Sequence, residues 1–454
     1  MTLSSETIFA LATAPGRSAV AVVRLSGPAT WVTLTALFRR PAPPRVASLR
    51  RLTDPRSGAV LDQALVLWFP GPASFTGEDS AELHLHGGPA VIEAVMDVLL
   101  GLGLRLAGPG EFTRRAFERG RMDLTQAEAI ADLVDAETEN QRRQALAQLD
   151  GELSARHAAW REALVEALAG LEAAVDFPDE DLPETVADQA RAPILALVAE
   201  LEQALDDGAR GERVRDGYRI ALIGAPNAGK SSLLNALARS SAAIVSPAPG
   251  TTRDVIEVAL DIEGFRVLVA DTAGLRAAED AVEAEGVRRA SERASRSALR
   301  LVVVDRGAED ADWRAVTPWI QAGDLCVMNK SDLPLAAGGL AAQAWAEAEG
   351  REVLSLSLTT GDGLARLERW LADRVTRALS GAEFPAATRV RHRQDLSQAV
   401  EHLRRALEQF ERGLQPELAA EDVRLAARCL ARVGGAVESE QVLDRVFSRF
   451  CIGK

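Results

Sequence analysis

The 454-residue sequence predicts a multi-domain chain of α/β plus all-α character. An N-terminal α+β domain leads to a helical domain, into which a P-loop domain with a mainly parallel sheet is inserted. Three observations predict this. Strand-like runs alternate with Gly/Pro turns up to residue 120, and helical periodicity flanks a central segment on both sides. That central segment joins a strand, a Gly-rich loop and a helix in immediate succession.

In the first region, Ser18–Leu25 and Ala64–Phe69 read as strands, and Ala90–Leu100 as a helix opened by Gly87-Gly88-Pro89. From about residue 122, apolar positions Leu146, Leu149, Leu153, Trp160, Leu164, Leu168, Leu171 and Val175 predict one long amphipathic helix. An acidic, Pro-containing loop from Phe177 to Pro183 ends it. A second helix follows through Ile194, Leu197, Leu201 and Leu205, closed by Gly208 and Gly211. Helical spacing resumes at Leu396, Val400, Leu403, Leu407, Phe410 and Leu414, then over Ala419–Val433, and last through Val442, Leu443, Val446 and Phe447. The expected domains are therefore 1–120, 121–215, 216–378 and 379–454, the second and fourth forming one helical domain. Such an insertion is feasible because domain termini often lie close together.

Composition narrows the function classes. With 47% hydrophobic residues the chain can bury several cores, while a net charge of −14 and 4% aromatics argue against a general nucleic-acid binder. Three scattered cysteines suit neither a disulfide framework nor a zinc site, which fits a reducing cytoplasm. No signal peptide is evident, and no apolar run approaches the ~20 residues of a membrane span.

The central motif is Gly224-Ala225-Pro226-Asn227-Ala228-Gly229-Lys230-Ser231-Ser232, after the strand Tyr218–Ile223. Backbone N–H groups at the helix start cradle phosphates, Lys230 reaches the terminal phosphates, and Ser231 holds magnesium. Three further segments follow in order. Thr251 and Thr252 lie in a polar loop, with Thr252 a second magnesium candidate. A buried strand ends in Asp271-Thr272-Ala273-Gly274, placing a carboxylate on the magnesium shell and a glycine at the γ-phosphate. Another strand ends in Asn329-Lys330-Ser331-Asp332, and the Asp332 carboxylate matches the paired donors of guanine, selecting GTP over ATP. Ser357 and Leu358 follow the last strand, where a backbone N–H reaches the guanine O6.

The pattern resembles the small GTPases of the translation-factor-related class. Leu275 stands where signalling GTPases carry a water-orienting Gln. Resemblance to GTPases with that substitution implies potassium in place of an arginine finger, held by Asn227 and the loop residues Ser246, Ala248 and Thr251. The same resemblance makes Glu283 the candidate for ordering the attacking water; read from its own sequence, Glu283 is equally a solvated helix-face residue.

The ends of the chain extend the resemblance. Thr76-Gly77-Glu78-Asp79, Glu82-Leu83-His84-Leu85-His86-Gly87-Gly88-Pro89, Pro109 to Phe117, Asp123 to Ile130 and the terminal Cys451-Ile452-Gly453-Lys454 resemble the tRNA wobble-uridine-modifying GTPases, the MnmE or TrmE family. This resemblance implies an N-terminal domain that dimerises and holds a reduced folate, 5-formyl- or 5,10-methylene-tetrahydrofolate. Arg24, Glu82, Arg121 and Lys454 are the matched folate contacts, and Cys451 a thiol placed to join the uridine chemistry. It further implies a homodimer and a flavin- and NADH-dependent partner protein of the MnmG or GidA type, joined in a heterotetramer. Together they would add a (carboxymethyl)aminomethyl group to C5 of uridine 34 of certain tRNAs, the hydrolysis cycle moving the helical arms. His84 and His86 alternate on one strand face, as a metal pair or, more simply, a polar pocket wall. Arg114, Arg115, Arg119 and Arg121 form a basic cluster, read either as a tRNA phosphate contact or as one solvated helix face. One rival reading is a GTP-switched ribosome-assembly or stress factor; another is a folate-dependent one-carbon enzyme with a non-RNA substrate.

Overall fold

The computed structural model describes residues 6–38, 40, 42–176, 185–240, 242–244, 257–271, 294–309, 317–380, 385, 387–412, 416–436 and 440–453. The chain forms two compact units. One takes in Met1–Ala131, Gln148–Ile194 and His402–Lys454, and the other Asp132–Ala147 and Leu195–Glu401.

The first unit contains strands β1 (Ile8–Leu11), β2 (Ser18–Ser26), β3 (Ser48–Thr53), β4 (Val60–Phe69), β5 (Ser80–Gly87) and β6 (Arg105–Leu106). They form one sheet in the order β3-β4-β5-β2-β1-β6, antiparallel except where β6 joins β1. Alternation assigns its two faces. Ala81, Leu83 and Leu85 of β5 are buried in a core with Val23, Leu25 and Val66. That core is closed by helices α1 (Thr30–Leu37) and α2 (Pro89–Gly101) through Leu34, Leu37, Val95 and Leu99. Glu82, His84 and His86 therefore line the opposite face. Helices α3 (Glu111–Glu118) and α4 (Leu124–Asp135) follow the sheet.

The expected long helix is two helices, α5 (Glu139–Leu149) and α6 (Glu152–Asp176). The apolar period runs through both, but Gly151 adopts φ +93 between them. The Leu149 carbonyl accepts the Gln126 side-chain amide at 3.0 Å, which caps α5. The next helix was expected to close at Gly208 and Gly211; instead α7 runs from Thr185 to Asp216. Its glycines serve packing. A Cβ on Gly208 would meet Ala387 Cβ at 2.8 Å, and one on Gly211 would meet Pro385 Cγ at 2.3 Å. Gly217, with φ +100, is where the helix ends.

The second unit contains β7 (Tyr218–Ile223), α8 (Lys230–Ser240), β8 (Ala242–Ala243), β9 (Glu257–Ile262), β10 (Phe265–Asp271), β11 (Leu299–Asp305) and β12 (Leu325–Asn329). After these come α9 (Ala337–Ala348), β13 (Val353–Ser355) and α10 (Leu364–Leu379). The sheet order is β13-β12-β11-β7-β10-β9-β8, parallel from β13 to β10, with β9 and β8 antiparallel additions. The mainly parallel sheet read from the sequence is thus present. Ile220 and Leu222 pack against Leu233, Leu234 and Leu237 of α8 and Leu367, Leu371 and Val375 of α10. Ala221 and Ile223 point the other way, into a core with Ala342 and Ala346 of α9. A sheet buried on both faces explains the continuous apolar runs of β7, β10, β11 and β12.

Helices α11 (Val390–Glu411), α12 (Pro416–Val433) and α13 (Glu440–Phe447) complete the described chain. Among the described residues no helix is long and apolar enough to cross a membrane.

Candidate active site

The phosphate loop links β7 to α8 with backbone that most side chains disfavour. Asn227 has φ +61 and Gly229 φ +101. A Cβ on Gly229 would sit 2.1 Å from Asn329 Nδ2, and one on Gly224 would sit 2.3 Å from the Val303 carbonyl oxygen. Both glycines are therefore required by close approach. Asn329 Nδ2 donates to the Ala228 carbonyl at 2.8 Å, tying the loop to the end of β12.

Helix α8 starts at Lys230, and the Leu233 N–H donates to the Gly229 carbonyl at 2.8 Å to close its first turn. Lys230 is buried, and Nζ donates to the carbonyls of Gly224 at 2.8 Å and Ala225 at 2.9 Å. Burial pushes its pKa below the ordinary lysine value, partly opposed by the Asp271 carboxylate. Ser231 Oγ donates to Asp271 Oδ2 at 2.5 Å across the start of α8 and the end of β10. Asp271 Oδ1 and Asn329 Oδ1 are buried and have no hydrogen-bond partner among the described residues. A hydroxyl and a carboxylate with an uncommitted oxygen are the hard donors magnesium takes, so these residues fit that ion.

The base-reading end is assembled by neighbouring strand ends. Ser357 Oγ donates to Asp332 Oδ1 at 2.5 Å, and the Ser331 N–H donates to the Leu356 carbonyl at 3.0 Å. Lys330, with φ +60, donates through Nζ to Asp305 Oδ2 at 2.6 Å. The Leu358 side chain packs on the sheet core, 3.7 Å from where a Gly229 Cβ would lie. Asp305, which sequence reasoning missed, is a candidate site residue through its contact with Lys330. Its signal was an acidic residue closing the apolar run Leu301–Val304, one strand away from Asn329. Ser232 lies exposed in the first turn of α8. Ser246, Ala248, Thr251, Thr252, Thr272, Ala273, Gly274, Glu283 and Lys454 lie outside the described residues.

In the first unit, β2 and β5 place Arg24 opposite Glu82. Arg24 Nη2 lies 3.0 Å from Glu82 Oε1, and His84 Nε2 lies 3.3 Å from Glu82 Oε2. The Arg24 guanidinium also stacks near the rings of Phe75 at 5.7 Å and Phe112 at 5.9 Å. His86 turns instead to Asp62, its Nδ1 2.7 Å from Oδ1. The two histidines thus engage different carboxylates, and no group of three metal-ligating side chains occurs among the described residues.

The basic cluster is neither a solvated face nor, for the most part, available to phosphate. Arg115 is buried and paired with Glu78 and Glu111; Arg119 pairs with Glu78 at 2.6 Å. Arg114 pairs with Glu118 at 2.8 Å, with Asp444 at 2.7 Å and with Glu440. Carboxylates 37 or more residues away in sequence answer most of these charges. Arg121 is the exposed member, its stem lying beside Gly77.

The C-terminal tail packs on the same unit. Ile452 bridges Pro109, the Cys451 carbonyl accepts the Gly110 N–H at 3.4 Å, and Gly453 sits so close to β1 that a Cβ would meet the Leu11 carbonyl at 2.4 Å. β1, against which the tail lies, pairs Ala10 with Arg24 of β2. The Cys451 side chain is exposed.

Two family models match the chain. Residues 7–121 match the model of the GTP-binding protein TrmE N-terminus, and residues 124–451 that of the MnmE helical domain. The chain is 59% identical to the tRNA modification GTPase MnmE of Caulobacter vibrioides, over 99% of this chain and 100% of that one. It is 57% identical to the protein of the same name from Phenylobacterium zucineum, with the same coverage. The corresponding protein of Maricaulis maris is 52% identical, again across 99% and 100% of the two chains.

Proposed function

Because the chain belongs to the MnmE family of tRNA modification GTPases, we propose that it hydrolyses GTP at the carboxyl ends of the second unit's sheet. We further propose that this hydrolysis drives addition of a (carboxymethyl)aminomethyl group to C5 of the wobble uridine of certain tRNAs. One observation carries the nucleotide half. Ser231 and Asp271 converge at 2.5 Å beside a phosphate loop, while Asp271 Oδ1 is buried without a hydrogen-bond partner among the described residues.

The chain's own residues have these roles in the proposal. Backbone N–H groups of Asn227 to Ser232 hold the phosphates at a helix N-terminus. Lys230 neutralises charge on the terminal phosphates, and Ser231, Thr252 and Asp271 hold magnesium. Asn227, Ser246, Ala248 and Thr251 hold potassium, and Thr272 to Gly274 sense the γ-phosphate. Glu283 orders the attacking water. Asp332, fixed by Ser357, accepts the two donors of guanine; Asn329 holds the loop, and Lys330, steadied by Asp305, lies beside the base. The Leu358 N–H serves the guanine O6. When bound, the two cations offset charge developing on the transferred phosphoryl group, and the reduced folate supplies the carbon unit.

For the modification half, Arg24, Glu82, Arg121 and Lys454 would hold the folate, whose carboxylates and pterin N–H groups suit those charges. Cys451 is kept as a candidate participant in uridine chemistry. A flavin- and NADH-dependent protein of the MnmG type and a second copy of this chain would complete a cytoplasmic assembly, and the division at 120, 215 and 378 is retained as the working domain map. The acidic balance assigns much of the tRNA contact to the partner.

Mass analysis of wobble nucleosides in bulk tRNA from cells lacking this protein tests the proposal. Loss of the C5-aminomethyl nucleosides, restored by wild type and not by Lys230→Ala, is the expected result. An unchanged profile would favour the ribosome-factor reading.

A further inference from the structure

The β9–β10 hairpin joins the two loops that the nucleotide reading assigns to magnesium and the γ-phosphate. Thr251 and Thr252 precede β9, and Thr272 to Gly274 follow β10. The hairpin's closed end is Glu263-Gly264, both in left-handed backbone with φ +52 and +76. A seven-residue strand spans roughly 20 Å, so this turn and Asp271 occupy opposite ends of β10.

The start of α5 grips that turn. The Asn140 N–H donates to the Gly264 carbonyl at 3.1 Å, and Asn140 Nδ2 donates to the Glu263 carbonyl at 3.3 Å. A Cβ on Gly264 would lie 3.0 Å from Asn140 Nδ2, so the fit is close. Two residues further on, the Arg266 guanidinium makes a 2.7 Å ion contact with Glu137, and its Nη1 donates to the Asp216 carbonyl at 3.4 Å. Gln141 braces the grip. Its Oε1 accepts the N–H groups of Glu137 at 2.9 Å and Thr138 at 3.1 Å, and its Nε2 donates to the Arg215 carbonyl at 2.7 Å. All of these residues belong to the second unit.

Helix α5 continues from this grip to Gln148 and Leu149, which belong to the first unit. There Gln148 Nε2 donates to the Thr125 carbonyl at 2.7 Å, and the Leu149 carbonyl accepts Gln126 Nε2. Within the second unit, the start of α5 is thus tied to the turn of the nucleotide hairpin. Both nucleotide loops leave the open end of the hairpin.

Resting on the GTPase reading above, we propose that Glu137, Asn140 and Arg266 are positioning residues that couple the nucleotide-dependent placement of this hairpin to helix α5. The GTP cycle then reaches tRNA modification through this contact. Coupling free energies between sites commonly amount to about 5–150-fold in the coupled affinity.

The test uses the full-length chain with its flavin-dependent partner and unmodified tRNA. GTP hydrolysis and the nucleoside product are measured for wild type, Glu137→Arg, Arg266→Glu and the double swap. Each single variant is expected to hydrolyse GTP within about twofold of wild type while losing about tenfold or more in modification rate. The double swap, which restores opposite charges, is expected to recover most of that loss, and the hydrolysis rate held near wild type in the single variants is the readout that a merely structural brace would not give. Asn140→Ala should weaken modification in the same direction without a charge change. Single variants whose modification stays at the wild-type rate would overturn the proposal. So would parallel falls in hydrolysis and modification, or a double swap that rescues nothing. A wild-type chain that hydrolyses no GTP would instead sink the underlying GTPase reading, and this inference with it.

Discussion

The candidate nucleotide site and the Glu78 network use their polar residues in opposite ways. In the second unit's site, Asp271 and Asn329 are held in place by one oxygen or nitrogen each, while their other oxygens are buried without a hydrogen-bond partner among the described residues. In the first unit, Glu78 receives Ser26, Arg115 and Arg119. Buried polar atoms without partners cost stability and are kept where a ligand satisfies them. Satisfied networks hold a fold. The comparison teaches that substitutions in the nucleotide site should cost turnover, and substitutions in the Glu78 network should cost stability.

Glu78→Gln gives the largest expected stability effect. It leaves Arg115 buried without its full charge partner, and breaking a buried pair of this kind costs about 3–5 kcal/mol. Chemical denaturation of the full chain should show a markedly earlier unfolding of the first unit. A near-wild-type midpoint would break the comparison from that side.

Lys230→Ala should act the other way. Loss of a charge aimed at the transferred phosphates is expected to reduce GTP turnover on the order of 10²–10³-fold, measured by phosphate release. Stability should hold or rise, because burial already disfavours the charged form of Lys230.

Glu111 sharpens the picture through pH. Burial raises its pKa, but Arg105, the Gly108 N–H and Arg115 together outweigh burial and bring it down to about 2 from 4.5. A carboxyl whose folded value is depressed contributes stability above its unfolded value, and that contribution fades as pH falls from about 4.5 toward 2. The shift corresponds to at most about 3 kcal/mol. Glu111→Gln should flatten this part of the acid-unfolding profile.

Gly211→Ala is the smallest and most local case. The added methyl meets Pro385 inside a close helix contact and should cost about 1–3 kcal/mol in the second unit, read as a lowered thermal midpoint.

The same contrast explains what the sequence revealed. Each part of the nucleotide site is a short motif at a strand end, so Lys230, Asp271 and Asn329 could be placed from local pattern alone. The first unit's network is built from residues far apart. Glu78 meets Arg115 and Arg119, and Arg114 meets Asp444, through folding that no local window contains. The basic cluster was therefore read without the carboxylates that answer it. Helix boundaries failed for a related reason. Gly151 breaks a helix that apolar spacing alone carries through, whereas Gly208 and Gly211 sit within one because a distant segment packs on them. A glycine's spacing is visible in sequence, but whether it turns the chain or admits a neighbour is decided by tertiary contact.

The most direct test of the account takes one variant, Asp271→Asn in the full-length chain, and measures magnesium-dependent GTP hydrolysis and the thermal midpoint side by side. The account predicts hydrolysis lowered on the order of 10²-fold with the midpoint within about 2 °C of wild type. Preserved hydrolysis together with a sharply lowered midpoint would show that Asp271 holds the fold and not the nucleotide site.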